Sequence, residues 1–444
     1  MFLTIASVAF IAVLFYVYQL SQHVTLGFVS LLGVELLNFT FGTSQGLLAG
    51  FHLDPFDFVG ICLLLASGTR TARSMNRLHA SRLFALVCMA LLMVSVARGL
   101  VTYDLKTVGD EGRGLVASVA GMLYFLTAPT DPKSMRRYTW LYLYFGLALC
   151  VVAVLATAGL NVGGTAWARG SDNLAALGGR ALPASAAAAI STCVFLSLGL
   201  ARNAKRKWAY SLMPTIFLVF AIYLRHRTVW TTLAVGVAAL PFVDGRLFRR
   251  LVPTLAVGAV LLACLVVYGQ SLQGGVSTDQ FSESAHNDAT FLWRLNGWKD
   301  LVMDDEQSIL TVLIGKSVGS GFHRIDSVTG RSLEVAPHSE YISMYLRVGV
   351  IGAVCVLLFI LRPINRLWHL SRLDNAAVYP SVSSWTITVL MIAVYAITYG
   401  LDAHSFALLG ICNAMISNPL TVRGGVNADI GAWPLSMDPR SAIA

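Results

Sequence analysis

The sequence predicts an all-α polytopic membrane protein, and three observations support this fold class. The chain is 56% hydrophobic and 12% charged, whereas soluble globular domains are about 25% charged. Apolar runs recur along it that are long enough for helical spans, since a hydrocarbon core about 30 Å thick needs roughly 20 apolar residues per helix. Between these runs, lysine and arginine gather in short loops. Together these features exclude a compact soluble enzyme.

The first three apolar runs are not equally clear as membrane spans. Residues 2–19 lack a charged leader and a clear cleavage site, so we expect them to remain as the first span rather than to be removed as a signal peptide. Residues 24–42 fit either a full span or a re-entrant segment. Residues 47–68 read as a span that Asp54 and Asp57 interrupt.

Five basic clusters orient the remaining spans. Short loops rich in lysine and arginine face the cytoplasm under the positive-inside rule, and the hydropathy fits two crossings between successive clusters. The prediction is therefore about 12 transmembrane helices. The clusters are Arg70, Arg73, Arg77 and Arg82; Lys133, Arg136 and Arg137; Arg202, Lys205, Arg206 and Lys207; Arg246, Arg249 and Arg250; Arg362, Arg366 and Arg372. The spans are 83–101, 114–130, 138–160, 183–201, 208–224, 228–243, 251–269, 338–361, 383–400 and 403–418.

The longest hydrophilic segment, 270–337, carries more acidic than basic residues and is predicted to lie on the outer side. Within it Phe291, Leu295, Trp298 and Val302 recur at helical spacing, which indicates an amphipathic helix on the membrane surface or over a cavity. Other outer segments are loops around 102–113 and 161–182 and a tight turn at Arg225-His226-Arg227. The predicted organisation is transmembrane helices in 1–269, an outer loop in 270–337, transmembrane helices in 338–418 and a disordered cytoplasmic tail in 419–444.

The formal net charge of +9 follows from these loops, so nucleic acid is not an expected partner. All seven cysteines fall inside apolar runs, where we expect packing or lipid contact rather than disulfides or thiolate zinc sites. The sequence contains no cluster of metal ligands, no phosphate-binding glycine loop and no nucleophile elbow. No metal or cofactor is expected.

A set of arginines at the outer ends of spans is unusual, because positive-inside statistics would not place them there. Burying an arginine at the membrane edge costs free energy of insertion. Its planar guanidinium, however, matches the geometry of phosphate oxygens. A diphosphate at the outer leaflet is the natural ligand; alternatively, each arginine reaches lipid headgroups or pairs with an acid such as Asp54, Asp57 or Asp110. The set is Arg98, Arg113, Arg180, Arg225, Arg227 and Arg294, with Arg347 deeper in its span.

His338 follows Pro337 and opens a span, with Tyr341 and Tyr345 on the same helical face. At a helix N-terminus the dipole disfavours the imidazolium, so we expect a neutral ring that could act as a base towards a sugar hydroxyl; a structural role is the alternative. Arg347 lies roughly 13 Å further along the helix, where a charge needs a partner or water.

Several of these residues resemble the signature of the O-antigen ligase and polysaccharide polymerase (Wzy-type) superfamily. The stretch from His338 to Gly352 resembles the family pattern of a histidine, then Tyr-Leu, then Gly-x-x-Gly. It departs from the pattern at Ser339, where asparagine is usual, and at Arg347, where an acidic residue is frequent. Further resemblances to the exopolysaccharide polymerases are Arg227-Thr228-Val229-Trp230, the element from Thr290 through Arg294 to Gly297-Trp298, and the glycine-rich turn from Gly315 to Gly321.

The resemblance implies a membrane glycosyltransferase of the GT-C class in the bacterial inner membrane, with one large periplasmic loop and an active site facing the periplasm. Such enzymes pass glycan from an undecaprenyl-diphosphate-linked donor to an acceptor hydroxyl without a metal. Catalytic residues would be His338, Arg227 and Arg294. The diphosphate or glycan would be bound by Arg113, Arg180, Arg225, Tyr341 and Arg347. Arg98 is added to this set from its position at the outer end of a span, not from the resemblance. The partners implied are the donor, the glycan acceptor, membrane lipids and proteins of export or chain-length control.

Three functions remain open at the level of sequence. A polymerase joins lipid-linked repeats in exopolysaccharide biosynthesis, and a ligase passes glycan to lipid A core; both need the outer arginines and the histidine. The similarity of Arg227-Thr228-Val229-Trp230 and Gly297-Trp298 to exopolysaccharide polymerases favours a polymerase. A flippase or transporter would be expected to carry charges near the middle of several spans, whereas here the polar groups gather at one face.

Overall fold

The computed structural model describes residues 2–42, 47–48, 51–52, 54–73, 79–163, 180–201, 207–271, 289–303, 308–325, 330, 332–372 and 382–417. The predicted tail 419–444 lies outside these residues. Fifteen helices and two short antiparallel strand pairs make up the described part of the chain.

The first helices are α1 (Phe2–Gln22), α2 (Val24–Phe41), α3 (Pro55–Arg73), α4 (Ala80–Thr102), α5 (Leu105–Phe125), α6 (Pro132–Thr157), α7 (Ala184–Ala201), α8 (Lys207–Tyr223), α9 (Arg227–Val243) and α10 (Gly245–Ser271). The later helices are α11 (Ala289–Val302), α12 (Ile309–Ile314), α13 (Glu340–Arg372), α14 (Val382–Thr398) and α15 (Ala403–Ser417). Strand β1 (Leu47–Leu48) pairs with β2 (Phe51–His52), and β3 (His323–Ile325) pairs with β4 (Ser332–Glu334).

The architecture is that of an all-α membrane protein. By length and composition, five helices of the described chain can each cross a membrane: Val24–Phe41, Ala80–Thr102, Pro132–Thr157, Gly245–Cys264 and Glu340–Arg372. Further apolar helices are shorter, and they are Phe10–Gln22, Ala184–Leu200, Leu212–Tyr223, Arg227–Val243, Val382–Thr398 and Ala403–Ser417. Residues 24–42, which fitted two interpretations in the sequence, form one helix of spanning length.

The predicted span 47–68 is wrong at its beginning. Its helix starts at Pro55, because Asp54 and Asp57 form a cap at the N-terminus. The Asp57 amide donates to Asp54 Oδ1 at 2.9 Å, and the Asp54 amide donates to Asp57 Oδ2 at 3.1 Å. Reciprocal side-chain acceptors of this kind satisfy amides that the first helical turn leaves unpaired. The two aspartates therefore start the helix rather than interrupt it.

The segment 102–113 is not a loop as predicted, since α5 begins at Leu105 rather than near residue 114. Asp104 caps this helix: its carboxylate accepts from the Thr107 amide at 3.0 Å and from the Thr107 hydroxyl at 2.7 Å. The first turns of α5 are polar, so average hydropathy reads them as a loop. Asp110, Glu111 and Arg113 consequently lie on a helix.

The helix predicted within the outer segment is present as α11, but its apolar residues do not form one buried face. Leu295 is exposed, whereas Gly297 and Leu301 are buried.

Helix α13 contains a sharp kink at Gly349, whose φ of 66° and ψ of −173° are not helical. Only glycine adopts that conformation readily.

At one end of the helix bundle, two short turns contact the segments that lead into α7 and α13. The turn between α8 and α9 contacts the residues before α7, since His226 hydrogen-bonds to the Leu182 carbonyl. The start of α13 contacts the turn between α14 and α15, where the Glu340 amide donates to the Tyr399 carbonyl at 3.2 Å. Helix α14 packs against α7, α9 and α13. This packing places distant parts of the sequence around one site.

Candidate functional site

The turn between α8 and α9 positions two arginines through a buried histidine. Arg225 has a left-handed backbone with φ of 57°. His226 Nε2 lies 2.9 Å from the Leu182 carbonyl oxygen, to which the neutral ring donates. Burial and the positive charges of Arg180 and Arg225 lower the pKa of His226 to about 4. A neutral, hydrogen-bonded His226 thus locks the turn against the segment that carries Arg180.

Arg180, Arg225, Arg227 and Arg294 converge at this end of the bundle, and we call them the arginine cluster. Burial lowers the pKa of Arg180, and the neighbouring charges of Arg227 and Arg294 lower it further. The pKa of Arg225 is lowered in the same way by burial and by Arg180. Arg180 therefore interacts electrostatically with the other three guanidiniums, although the four residues come from separate stretches of the chain.

Tyr399, in the turn between α14 and α15, organises one side of the cluster. The Arg294 guanidinium lies 4.8 Å from the Tyr399 ring centroid, and its Nη2 donates to the Tyr399 hydroxyl at 3.3 Å. Nη1 of Arg294 donates to the Thr398 carbonyl at 3.2 Å. Tyr395 stacks on Tyr399 with the two ring centroids 5.3 Å apart. Arg294 is thereby fixed in one orientation by ring and carbonyl contacts.

The motif around Gly297 and Trp298 has a clear structural role. A Cβ atom on Gly297 would collide with the guanidinium of Arg324, which stacks on Trp293 with its central carbon 4.2 Å from the ring centroid. The indole of Trp298 donates to the Pro337 carbonyl, directly before His338. Helix α11 therefore places Arg294, makes room for Arg324 and holds the backbone that carries the histidine.

His338 lies beside the arginine cluster, with its ring centroid 6.2 Å from that of Tyr399. Its pKa is lowered by burial and by the positive charges of Arg294 and Arg324, so the ring is neutral at neutral pH. The sequence predicted a neutral ring as well, although from the helix dipole rather than from burial and neighbouring arginines. A neutral imidazole retains a lone pair that can accept a proton.

Two features distinguish this end of the bundle. In the described part of the chain, the non-glycine residues with positive φ are Arg225 and His338, and strained backbone of this kind concentrates at functional sites. Among the same residues, neither Arg180 nor Arg294 forms an ion pair with a carboxylate. The arrangement can bind phosphate oxygens through guanidinium donors.

Carboxylates lie in and around the turn between α14 and α15 that carries Tyr399. Burial and the nearby Glu35 carboxylate raise the pKa of Asp402 to about 6. Glu35 pairs with His404 across α2 and α15, with 2.8 Å between Oε2 and Nδ1. Glu340 Oε2 accepts from the Leu401 amide at 2.8 Å. Glu340 and Glu35 thereby hold the turn before α15 and the start of that helix in place.

Four residues predicted for substrate binding have partners elsewhere in the protein. Arg113 pairs with Asp57 at 3.3 Å, and Nη1 of Arg98 donates to the Gly315 carbonyl at 2.8 Å. Arg347 is fully buried and pairs with Glu111. The hydroxyl of Tyr341 donates to the Ala393 carbonyl at 3.1 Å. The structure does not bring the three arginines into the arginine cluster, and Tyr341 serves as packing at the start of α13.

Sequence reasoning missed two members of the site's surroundings, Tyr399 and Arg324. Tyr399 sits in a four-residue connection between two apolar runs, on the side that the predicted topology already placed outside. The presence of aromatic and acidic residues in so short an outer turn could have identified Tyr399 as a candidate site residue. No feature of the sequence pointed to Arg324, because its position depends on the pairing of β3 with β4 and on the space at Gly297.

Within the described residues, no group of three or more His, Cys, Asp or Glu side chains is arranged to hold a metal ion. Comparison with known protein families found no matching family model, and comparison with curated proteins found no match.

Proposed function

We propose that this protein is a membrane glycosyltransferase of the polysaccharide polymerase type. It would transfer glycan from an undecaprenyl-diphosphate-linked donor to the hydroxyl of a lipid-linked acceptor repeat. The observation that carries the proposal is the arginine cluster next to a neutral His338 at one end of an apolar helical bundle. The sequence resemblance of the His338, Arg227 and Arg294 segments to the O-antigen ligase and polymerase superfamily points the same way.

The chemistry requires a departing diphosphate to be stabilised. In the transfer, the acceptor hydroxyl oxygen forms a bond to the anomeric carbon, and the bond from that carbon to the diphosphate oxygen breaks. The diphosphate leaves with the electron pair, so negative charge grows on its oxygens. Arg227 and Arg294, with Arg180 and Arg225 beside them, supply preorganised positive charge and donors at that place. The proposed reaction is metal-independent on this account.

His338 would take the proton of the acceptor hydroxyl. Arg294 and Arg324 lower its pKa, which keeps the ring neutral but makes it a weak base. A bound diphosphate brings negative charge next to the same arginines and offsets their field. Donor binding would therefore raise the pKa of His338 and strengthen the base only when the leaving group is in place.

The membrane arrangement that we propose has about 12 transmembrane helices in a GT-C-type architecture. The arginine cluster would face the periplasm from the inner membrane, where lipid-linked repeats are polymerised. The basic loops between the helices support this orientation under the positive-inside rule. Residues 270–337 would form the single large connection between spans on the periplasmic side, with α11 over the site.

The test is glycan transfer by the full-length protein in nanodiscs, with a lipid-linked repeat unit and a chelator. We expect a ladder of longer glycans, lost in Arg227→Ala and His338→Ala at unchanged expression. Arg136→Ala, an exposed arginine near the start of α6, is the matched control and should keep the ladder. Transfer only when lipid A core is added would make the protein a ligase. No transfer to either acceptor would overturn the proposal in favour of transport.

A further inference from the structure

The segment 308–321, which the sequence placed in the hydrophilic outer loop, packs against the sides of two spanning helices. It consists of α12 and a glycine-rich turn, and α12 packs along α13. The turn reaches α4 as well, where Val318 is completely buried. The segment therefore runs along the bundle instead of projecting away from it.

Contacts with α13 fix the depth of the segment on one side. The Lys316 amide donates to the Leu346 carbonyl at 2.6 Å. The Leu313 carbonyl lies so close to Gly349 that a Cβ atom there would collide with it. Leu346 and Gly349 follow the first residue of α13, Glu340, by roughly 9 to 14 Å of helical rise. The tip of the segment lies at that level.

Contacts with α4 give the same depth independently. The Ser95 hydroxyl donates to the Lys316 carbonyl at 2.7 Å, and the Val318 amide donates to the Ser95 carbonyl at 3.2 Å. Ser95 precedes the last residue of α4, Thr102, by about 10 Å of rise. A Cβ atom on Gly99 would collide with the Val318 carbonyl. Two candidate spans thus agree on how far the segment descends.

Polar side chains satisfy the non-helical backbone of this turn. Glu111 accepts from the Gly319 amide at 2.7 Å and from the Gly321 amide at 3.2 Å. Arg347 donates to the carbonyls of Ser317 at 3.1 Å and Gly321 at 2.8 Å, while Arg98 donates to that of Gly315. Irregular backbone at membrane depth is tolerated only where protein groups satisfy it in this manner.

The outward face of α12 is apolar and exposed, with exposed fractions of 81% at Ile309, 58% at Leu310 and 43% at Leu313. It continues the exposed apolar stripe of α13, which includes Val350, Ile351 and Val354. From residue 308 to residue 321 the one formal charge is Lys316, which is half-buried, and a lysine stem is long enough to bring its charge towards the interface.

We infer that residues 308–321 form a re-entrant element, which enters the outer half of the hydrocarbon layer and returns. The acyl chains of the bilayer cover Ile309, Leu310 and Leu313. Arg98, Glu111 and Arg347 act in this element as internal partners of its backbone. This inference does not depend on the proposed enzymatic reaction.

The test measures lipid contact directly in the full chain. The background variant has exposed Cys264 and half-buried Cys355 replaced by serine. Leu310→Cys and Ile309→Cys are introduced into it separately. Each variant is labelled with an environment-sensitive fluorophore and reconstituted in phosphatidylcholine vesicles. Ile351→Cys on α13 is the lipid-facing control, and Ser332→Cys on exposed β4 is the aqueous control.

We expect 5-doxyl phosphatidylcholine to quench Leu310→Cys and Ile309→Cys as strongly as it quenches Ile351→Cys, and aqueous iodide to leave them unquenched. Quenching by iodide at the level of Ser332→Cys would place α12 in water and overturn the inference. Resistance to both quenchers would also overturn it, because the face would then be covered by a second copy of the chain or another protein.

Discussion

The guanidinium of Arg294 lies over the ring of Tyr399, 4.8 Å from its centroid, and donates to its hydroxyl at 3.3 Å. This contact joins α11, from the outer segment, to the turn between the last two helices. It fixes one member of the arginine cluster beside His338. A ligand that binds Arg294 therefore meets a preorganised guanidinium rather than a mobile one.

Removing the Arg294 guanidinium should weaken binding of undecaprenyl diphosphate. A charge-assisted hydrogen bond contributes about 1.5–3 kcal/mol, so we expect Arg294→Ala to raise the Kd by about 10-fold to 100-fold. Tyr399→Phe keeps the ring and loses one hydroxyl, so its effect should be smaller. Titration of the detergent-solubilised protein with the lipid measures both. An unchanged Kd for Arg294→Ala would remove this residue from the proposed site.

Breaking the ion pair between Glu111 and Arg347 should strongly destabilise the protein, because it leaves a buried charge without a partner. Arg347 is fully buried, and loss of one partner from a buried pair costs about 3–5 kcal/mol. Glu111→Ala also removes the acceptor of the Gly319 and Gly321 amides. We expect its free energy of unfolding in detergent to fall by about that amount. The control is Asp110→Ala at the neighbouring, exposed position, which should change the free energy of unfolding by less than about 1 kcal/mol. Equal effects of the two variants would contradict a structural role for the pair.

The kink at Gly349 should not tolerate a side chain. Its φ of 66° is unfavourable for alanine, at a cost of about 1–3 kcal/mol, and the new Cβ would also collide with the Leu313 carbonyl. Gly349→Ala should therefore lower the thermal unfolding midpoint clearly. Gly68→Ala in α3 is the control, because a Cβ atom added there would meet nothing within 4 Å, and alanine should be neutral or slightly stabilising at that position. A similar midpoint in both variants would show that the kink is not required.

Acid should destabilise the protein through His226. Its pKa falls from the ordinary 6.5 to about 4 in the folded protein, so between these values the unfolded chain binds more protons. Neutral His226 contributes about 3 kcal/mol to the free energy of unfolding. This contribution is complete above pH 6.5 and is lost as the pH falls towards 4. His226→Gln does not titrate and can still donate to Leu182. Unfolding curves at pH 7 and pH 4 should therefore differ less for the variant than for the wild type; an equal difference would assign the pH dependence to other groups.

Most helices could be predicted from the sequence because hydropathy and loop charge act locally. The turn at Arg225-His226-Arg227 lies where it was predicted, and α14 and α15 begin within a residue of the expected positions. Errors arose at Asp54 and Asp104, where an acidic side chain caps a helix. Average hydropathy counts such a residue as a loop signal, although its carboxylate starts the helix.

Composition and loop charge were enough to identify an apolar, helical membrane protein and to draw attention to the arginines at the predicted outer ends of its spans. Which arginines act together depended on tertiary structure. Arg180, Arg225 and Arg227 are brought together because α14 packs against α7 and α9, and Arg294 of α11 joins them by contacting Thr398 and Tyr399 at the end of α14. In contrast, Arg98 and Arg347 bind the backbone of the 315–321 turn. A guanidinium is equally suited to phosphate oxygens and to backbone carbonyls. Its partner is therefore decided by what the fold brings within reach, which local sequence does not encode.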